Sequence, residues 1–390
     1  MSPPGGRISA TWVTLDWMPC RGLARALAGA CALTLVLAPG AGAATLPDGF
    51  EERELVAGLT RPMSVAWTPD GRMLIAEKDG VLKQVLPGQP VATVLLDISD
   101  DVNSSDDRGL LGLAVDSDFE SNGFIYLLYT YEPDNYVMYD STEPALSRLS
   151  RYVLGAGGID PGSETTLLGS WGNAPCPPPS NDVDCIPSDS STHSIGTVHS
   201  APDGTLFVGS GDAAGFAAPD PEAFRSYDER SMAGKILRVD RNGDGVATNG
   251  FCGLAVTKVC RKVYAKGFRN PFRFTLRPGG LGPVVGDVGQ SAYEEINLIK
   301  PGANYGWPCY EGPARYGVHA SSATCQALYA QEGTAAGATP PSWSYEHVDG
   351  GSVIAGPTYR GTSYPADMRG DIFVGDYVQG WVKRLEVDAE

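Results

Sequence analysis

Short runs in which apolar and polar side chains alternate recur along the chain, each closed by a glycine-rich or Asp-Gly turn. SVAWTPDGRMLIAEKDGVLKQV (64–85) reads as three strands joined by two tight turns. GTVHSAPDGTLFVGSGD (196–212) repeats the first hairpin, and AGKILRVD (233–240) supplies another strand. GLAVDSDFESNGFIYLLYTY (112–131) is the same unit with a longer turn, and RFTLRPGGLGPVVGDVG (273–289) is a fourth copy. GPTYRGTSYPADMRGDIFVGDYVQGWVKRLEVD (356–388) is a fifth. A period of two marks half-buried strands, and Asp-Gly supplies the positive φ that hairpin turns require. Nothing in the pattern predicts a long amphipathic helix. Units recurring every 40 to 70 residues or so predict an all-β chain built by radial repetition, a β-propeller. A two-sheet sandwich would not need the same cadence to recur.

Five blades are identifiable, and the sequence stops at Glu390, directly after the fifth unit's last strand. Because a propeller removes sheet edges by closing its ring, LPDGFEERELVAGL (46–59) is expected to supply an outer strand to a last blade that is truncated. Residues 1–44 read differently. Arg21 and Arg25 precede the apolar run from Ala26 to Ala38, and Ala41-Gly42-Ala43 follows. A positive flank, a short apolar core and a small-residue end predict a secretory signal peptide cleaved near Ala43 or Ala44. The run is shorter than the roughly 20 apolar residues that span a bilayer, so no membrane anchor is expected. The propeller domain is therefore 45–390, and the location is secreted or periplasmic.

That domain keeps six of the eight cysteines. An even number behind a signal peptide points to disulfides in an oxidising compartment. Pairing by proximity gives Cys176–Cys185, Cys252–Cys260 and Cys309–Cys325, one choice among 15 possible pairings of six cysteines. No C-x-x-C pair or Cys/His cluster supports zinc. The net charge of −17 makes nucleic acid and anionic membranes poor partners. An anionic ligand would have to be held by local cations.

Only four histidines occur, and two of them, His193 and His199, fall within STHSIGTVHSAPDGTLFVGSGD (191–212). Together with RGLLGLAVDSDF (108–119), AGKILRVDRNGDG (233–245), GFRNPFRF (267–274) and GDVGQSAYEEINLIKPGANYGWPCYEG (286–312), this stretch resembles the soluble quinoprotein sugar dehydrogenases, the glucose/sorbosone dehydrogenase family. The resemblance implies a six-bladed propeller that binds pyrroloquinoline quinone (PQQ) and calcium at one end of its tunnel. It also implies oxidation of the C1 hydroxyl of aldoses to lactones, with an electron acceptor that the sequence does not name. On that reading His193 is the catalytic base. Imidazole suits the task because its pKa lies near neutrality. Arg269 and Asn270 contact the quinone, and the Arg269 guanidinium stabilises charge that builds there. Asp107 meets the sugar. The backbone carbonyls of Gly289 and Gln290 hold calcium. His199 matches no family site and reads as structural.

Three departures stand out. Thr192 occupies the place of an acidic residue, so nothing adjacent in sequence orients the imidazole. Asp107 replaces a sugar-contacting glutamine. Val378 falls where the family has a lysine, and the family's late arginines lie past Glu390. These departures support an alternative, a non-catalytic secreted propeller that binds carbohydrate or protein, as hedgehog-interacting-protein-like relatives do. Asp240, Asn242 and Asp244 resemble the start of a calcium loop but lack a glutamate at its twelfth position, which favours a hairpin turn. A glycoside hydrolase would need a distinguishable carboxylate pair, and none stands out.

Overall fold

The structure, a computed structural model, describes residues 8–16, 50–132, 141–216, 219–252, 257–280 and 282–387. Five antiparallel sheets form the blades of a β-propeller. The first blade comprises Pro62–Trp67, Met73–Glu77, Val81–Val85 and Ala92–Asp97 from the axis outward. The second runs Leu110–Val115, Phe124–Tyr131, Ala145–Gly155 and Thr165–Leu168. Ile195–Ser200, Leu206–Ser210, Lys235–Val239 and Val263–Lys266 make the third. Arg273–Leu276, Pro283–Asp287, Tyr293–Leu298 and Trp343–Glu346 make the fourth. Val353–Thr358, Ile372–Asp376 and Trp381–Val387 make the fifth. The five sequence units each fall on one blade.

The period-two pattern explains where the core lies. Each sheet is apolar on both faces, and the faces meet between blades. Leu74 and Leu82 pack on Leu110 and Leu127 between the first and second blades. Phe207 and Ile236 meet Phe274 and Val285 between the third and fourth, and Val284 and Ile296 meet Val374 and Trp381 between the fourth and fifth. Each such side chain contributes about 1.5–3 kcal/mol by leaving water. The inner strands pack consecutively from the first blade to the fifth, but no comparable packing joins the fifth to the first among the described residues. At that seam Val65 and Trp67 stand 43% and 58% exposed. Residues 50–61 cross it, beginning with the Phe50 ring against Tyr364.

The expected outer strand from 46–59 does not form. Residues 50–59 carry no strand, and 46–49 lie outside the described residues. Glu51, Glu52, Arg53 and Glu54 form a run of four charges, all exposed, that cannot bury alternate positions. The outer strand of the fifth blade is instead Ile8–Asp16, antiparallel to Trp381–Val387. The apolar run Ala26 to Ala38 and the cleavage position near Ala43 lie outside the described residues. No described helix is long and apolar enough to cross a membrane.

All three disulfides pair by proximity, Cys176–Cys185, Cys252–Cys260 and Cys309–Cys325. Each pins an excursion between strands. At the axis Arg273, from the fourth blade, donates to carbonyls of three others: Met63 O at 2.8 Å, Leu111 O at 2.9 Å and Gly196 O at 3.0 Å. Burial lowers its pKa to about 10, and no carboxylate pairs with it among the described residues.

Candidate functional site

Above Arg273 a cavity of about 810 Å³ opens at one end of the axis. All six residues singled out from the sequence line it: Asp107, His193, Arg269, Asn270, Gly289 and Gln290. Met63, Leu111, Phe216, Phe272 and Ile354 give it apolar walls.

His193 precedes the inner strand of the third blade with φ +50, and it is 3% exposed. Its backbone is held from two sides: its N–H donates to Asp107 Oδ2 at 3.1 Å, and its carbonyl accepts from Ala213 N at 3.1 Å. Gly211 allows this approach, since a Cβ there would stand 2.1 Å from His193 O. The ring is oriented by a residue the sequence did not point to. Asp212, fully buried, accepts from His193 Nδ1 at 2.9 Å, from Ala214 N at 3.0 Å and from Trp307 Nε1 at 2.7 Å. Burial opposes its charge, but the His193 ring, Arg269 and the Ala214 N–H outweigh it and hold the carboxyl below its usual range. An ionised carboxylate only accepts, so the Nδ1 nitrogen carries the proton and Nε2 is left as a base. The expectation that nothing adjacent orients the imidazole is thus corrected: the partner comes from across the hairpin. Trp307 anchors that partner through its indole N–H.

Arg269 and Asn270 lie in the loop before the fourth blade, where both backbone N–H groups donate to Asp287, at 3.1 and 2.7 Å. The Arg269 guanidinium donates to Val288 O, Gly289 O and twice to Gln290 Oε1. Burial lowers its pKa, although Asp212 and Asp287 oppose the shift. The Asn270 carboxamide makes no hydrogen bond to the protein among the described residues, which leaves it free for a ligand. His347 also lines the cavity, and its bond to Glu294 at 2.8 Å raises its pKa.

The loop after Gly289 is gathered by Glu311, whose Oε1 accepts from the N–H groups of Gln290, Ser291, Ala292 and Tyr293. Calcium needs six to eight oxygens, with carboxylates usually among them. Here the Gly289 carbonyl accepts from Arg269 Nη1 at 2.7 Å, and Glu311 and Glu294 are turned onto backbone N–H groups. No described cluster of His, Cys, Asp or Glu could hold a metal. In this arrangement Gly289 and Gln290 do not fit a calcium ion. A planar, oxygen-rich acid fits better, between apolar walls with Asn270 and His347 to meet its oxygens. Away from the cavity, Asp240 Oδ1 accepts from Asn242 N and Asp244 N, the geometry of a hairpin turn. His199 Nε2 lies 3.0 Å from Phe274 O and its ring stacks edge-on Phe274, a structural role.

Beneath the cavity floor, burial pushes the Glu295 pKa up from 4.5 to about 7, and burial with Glu295 nearby raises Asp287 too. A carboxyl raised on folding contributes stability below about pH 4.5 that is lost as pH rises through about 7. Asn297 donates to Glu295 Oε2 at 2.9 Å while its own Oδ1 has no partner, so a turned Asn297 amide can accept from a neutral group at 295. Glu295→Gln is expected to stabilise the protein at pH 8 by up to about 3 kcal/mol and to flatten the fall in melting temperature between pH 5 and 8. Thermal melts across that range check it, and an unchanged slope would contradict it.

The sequence model described as "Glucose / Sorbosone dehydrogenase" matches residues 59–150 and 183–390. Quinoprotein glucose dehydrogenase B of Acinetobacter calcoaceticus is 26% identical over 294 residues, 71% of this chain and 56% of that protein. HIPL1 protein of Arabidopsis thaliana is 26% identical over 268 residues, 61% of this chain and 37% of that one. The chain thus spans about half the length, or less, of these relatives. Among solved structures, a putative oxidoreductase (glucose dehydrogenase) from Thermus thermophilus superposes with a TM-score of 0.60 at 24% identity, covering 87% of each chain. The PQQ-bound aldose sugar dehydrogenase of Streptomyces coelicolor gives 0.56 at 20% identity, covering 86% of this chain and 97% of that one. At these identities the superpositions establish the propeller fold. With the family's sequence model matched over most of its length, this chain belongs to the glucose/sorbosone dehydrogenase family.

Proposed function

We propose that this protein is a quinoprotein oxidoreductase that oxidises the C1 hydroxyl of aldoses. The observation that carries the reading is the His193–Asp212–Trp307 chain of hydrogen bonds at the wall of a cavity shared with Arg269 and Asn270. When bound, PQQ supplies a two-electron acceptor for the hydride leaving the sugar carbon. His193 Nε2 takes the hydroxyl proton in the same event, and Asp212 stabilises the imidazolium that results. Asn270 holds a ligand oxygen with its unpartnered amide. Arg269, fixed against the 288–290 loop, places positive charge beside the place where negative charge develops. The apolar walls exclude water and strengthen both interactions. Calcium has no part in this reading while Arg269 holds the Gly289 carbonyl.

A second reading has a specific support. The Arg269 guanidinium already makes four hydrogen bonds within the protein, and Val378 lies in the cavity wall. Both favour a propeller that binds carbohydrate without oxidising it. Mixing the purified protein with PQQ, and following quinone binding and the reduction of an artificial acceptor across an aldose panel, separates the two. Saturable quinone binding with turnover of at least one aldose supports the enzyme. Sugar binding with neither supports the second reading.

Export is part of the proposal. Three disulfides fit an oxidising compartment. Cleavage near Ala43 would remove Ile8–Asp16 and uncover the outer edge of the fifth blade, an outcome that the mass of the exported protein checks.

A further inference from the structure

We propose that Lys78 and Asp107 form a donor–acceptor clamp that grips two adjacent hydroxyls of a neutral aldose, so that sugar selectivity is set by the first blade and the loop that follows it. The proposal rests on the dehydrogenase reading and names residues for its substrate end.

Lys78 opens the turn between the second and third strands of the first blade. Its backbone is fixed on both sides: its N–H donates to Arg61 O at 3.0 Å, and its carbonyl accepts from Leu110 N at 2.8 Å. The side-chain stem crosses Gly109, where a Cβ would stand 2.6 Å from Lys78 Cγ and 2.9 Å from Lys78 O. Gly109 has φ +140, a conformation that side-chain-bearing residues rarely adopt. The missing side chain at 109 therefore gives the lysine its route to the cavity, which it lines. There Nζ donates to the Asp106 carbonyl oxygen. Lys78 makes no ion pair among the described residues, and Asp106 and Asp107 act on it only at longer range. An ammonium has three donors, so two remain for a ligand.

Asp107 supplies the complement. Its Oδ2 accepts from His193 N, its N–H donates to Ser191 O at 3.0 Å, and its carbonyl accepts from Ser194 Oγ at 3.1 Å. Its other carboxylate oxygen has no protein partner among the described residues. Asp106 Oδ2 also accepts from Ser191 Oγ, at 2.6 Å. The 106–107 loop is thus tied to the loop that carries the base, and a hydroxyl deprotonated by His193 lies on a molecule within reach of both groups.

The chemistry selects the ligand. Ammonium only donates and carboxylate only accepts, whereas each sugar hydroxyl does both. Neighbouring hydroxyls can satisfy the pair at once, one accepting from Lys78 and the next donating to Asp107. Sugars bearing carboxylate or phosphate at this end would meet Asp106 and Asp107 and be repelled.

The test uses the PQQ-loaded protein with glucose and its monodeoxy analogues, and quinone binding is read separately from tryptophan quenching. The intact protein is expected to lose roughly tenfold or more in kcat/KM for the analogues lacking the gripped hydroxyls, because the site's polar groups are then left unpaired. Lys78→Met is expected to raise KM for glucose about tenfold, to change kcat less than about threefold, and to erase that discrimination. Lys78→Gln, which keeps a donor, is expected to recover part of it. Quinone affinity and melting temperature stay unchanged in both. Unchanged KM and an unchanged deoxy pattern in Lys78→Met overturn the clamp alone. Loss of quinone binding in both folded variants assigns Lys78 to the cofactor and also overturns it. Quinone binding without aldose turnover by the unmodified protein overturns the dehydrogenase reading, and the clamp with it.

Discussion

His193→Ala is expected to lower aldose turnover by about a thousandfold or more, and Asp212→Asn by about a hundredfold or more, with quinone binding retained in both. The second expectation is the more informative. Asparagine keeps the size and two hydrogen-bonding positions of Asp212. Its carboxamide can still accept from Ala214 N or Trp307 Nε1 with the oxygen, but the –NH₂ end is a donor. Facing His193 Nδ1, that donor would favour the tautomer with the proton on Nε2, the nitrogen that must act as the base. The imidazolium formed in the reaction would also lose its counter-charge. His199→Ala, whose ring serves Phe274 on a different part of the strand, is expected to keep turnover within about threefold of the unmodified protein. Steady-state rates for the three variants at saturating quinone check the assignment. If Asp212→Asn turns over normally, the ring is not oriented as described.

The second large effect concerns the fold. Arg273→Met is expected to lower stability by about 3 kcal/mol or more, which for a chain of this size is roughly 4 °C or more in melting temperature. Methionine fills much of the volume and relieves the cost of burying a charge. It leaves Met63 O, Leu111 O and Gly196 O without their donor, however, on inner strands of three different blades. Each orphaned buried acceptor costs about 1–3 kcal/mol unless water reaches it. Met63, Leu111 and Phe272 line the cavity directly above, so quinone affinity is expected to fall together with stability. A variant that melts normally and binds normally would show that the guanidinium is not what joins the blades at the axis. Calorimetry and a quinone titration on the same preparation distinguish the outcomes.

Much of this was legible in the chain because it is local. Period-two alternation with Asp-Gly turns determines strands, and its recurrence determines blades; each unit needs only its own residues and a neighbour to cover it. Nearest-neighbour cysteines on short excursions pair for the same reason. The residues that line the cavity could be named because DDRGLLG, STHS, GFRNP and GDVGQ resemble segments of the glucose/sorbosone dehydrogenases; alternation and turn chemistry alone do not point to them. What each of them touches was not legible. The register at Ile195↔Ser210, extended outward by two residues, sets His193 opposite Asp212, but an irregularity between Ile195 and Val198 shifts the pairing. Counted from the Pro-Asp-Gly turn, the aspartate would fall on the other face, since one residue of slip exchanges the two faces of a strand.

The sequence by itself therefore determined the repeating architecture and the disulfides, because those follow from short-range pattern and turn chemistry, while the side chains at one end of the axis were named by the family resemblance alone. Only the tertiary structure decided that Asp212 and Trp307 orient the base, that Arg269 takes the Gly289 carbonyl, that Arg273 links four blades and that Lys78 crosses Gly109 into the cavity. These depend on which strands lie side by side once the blades have packed. A partner chosen from a residue far away in sequence leaves no periodic signal along the chain.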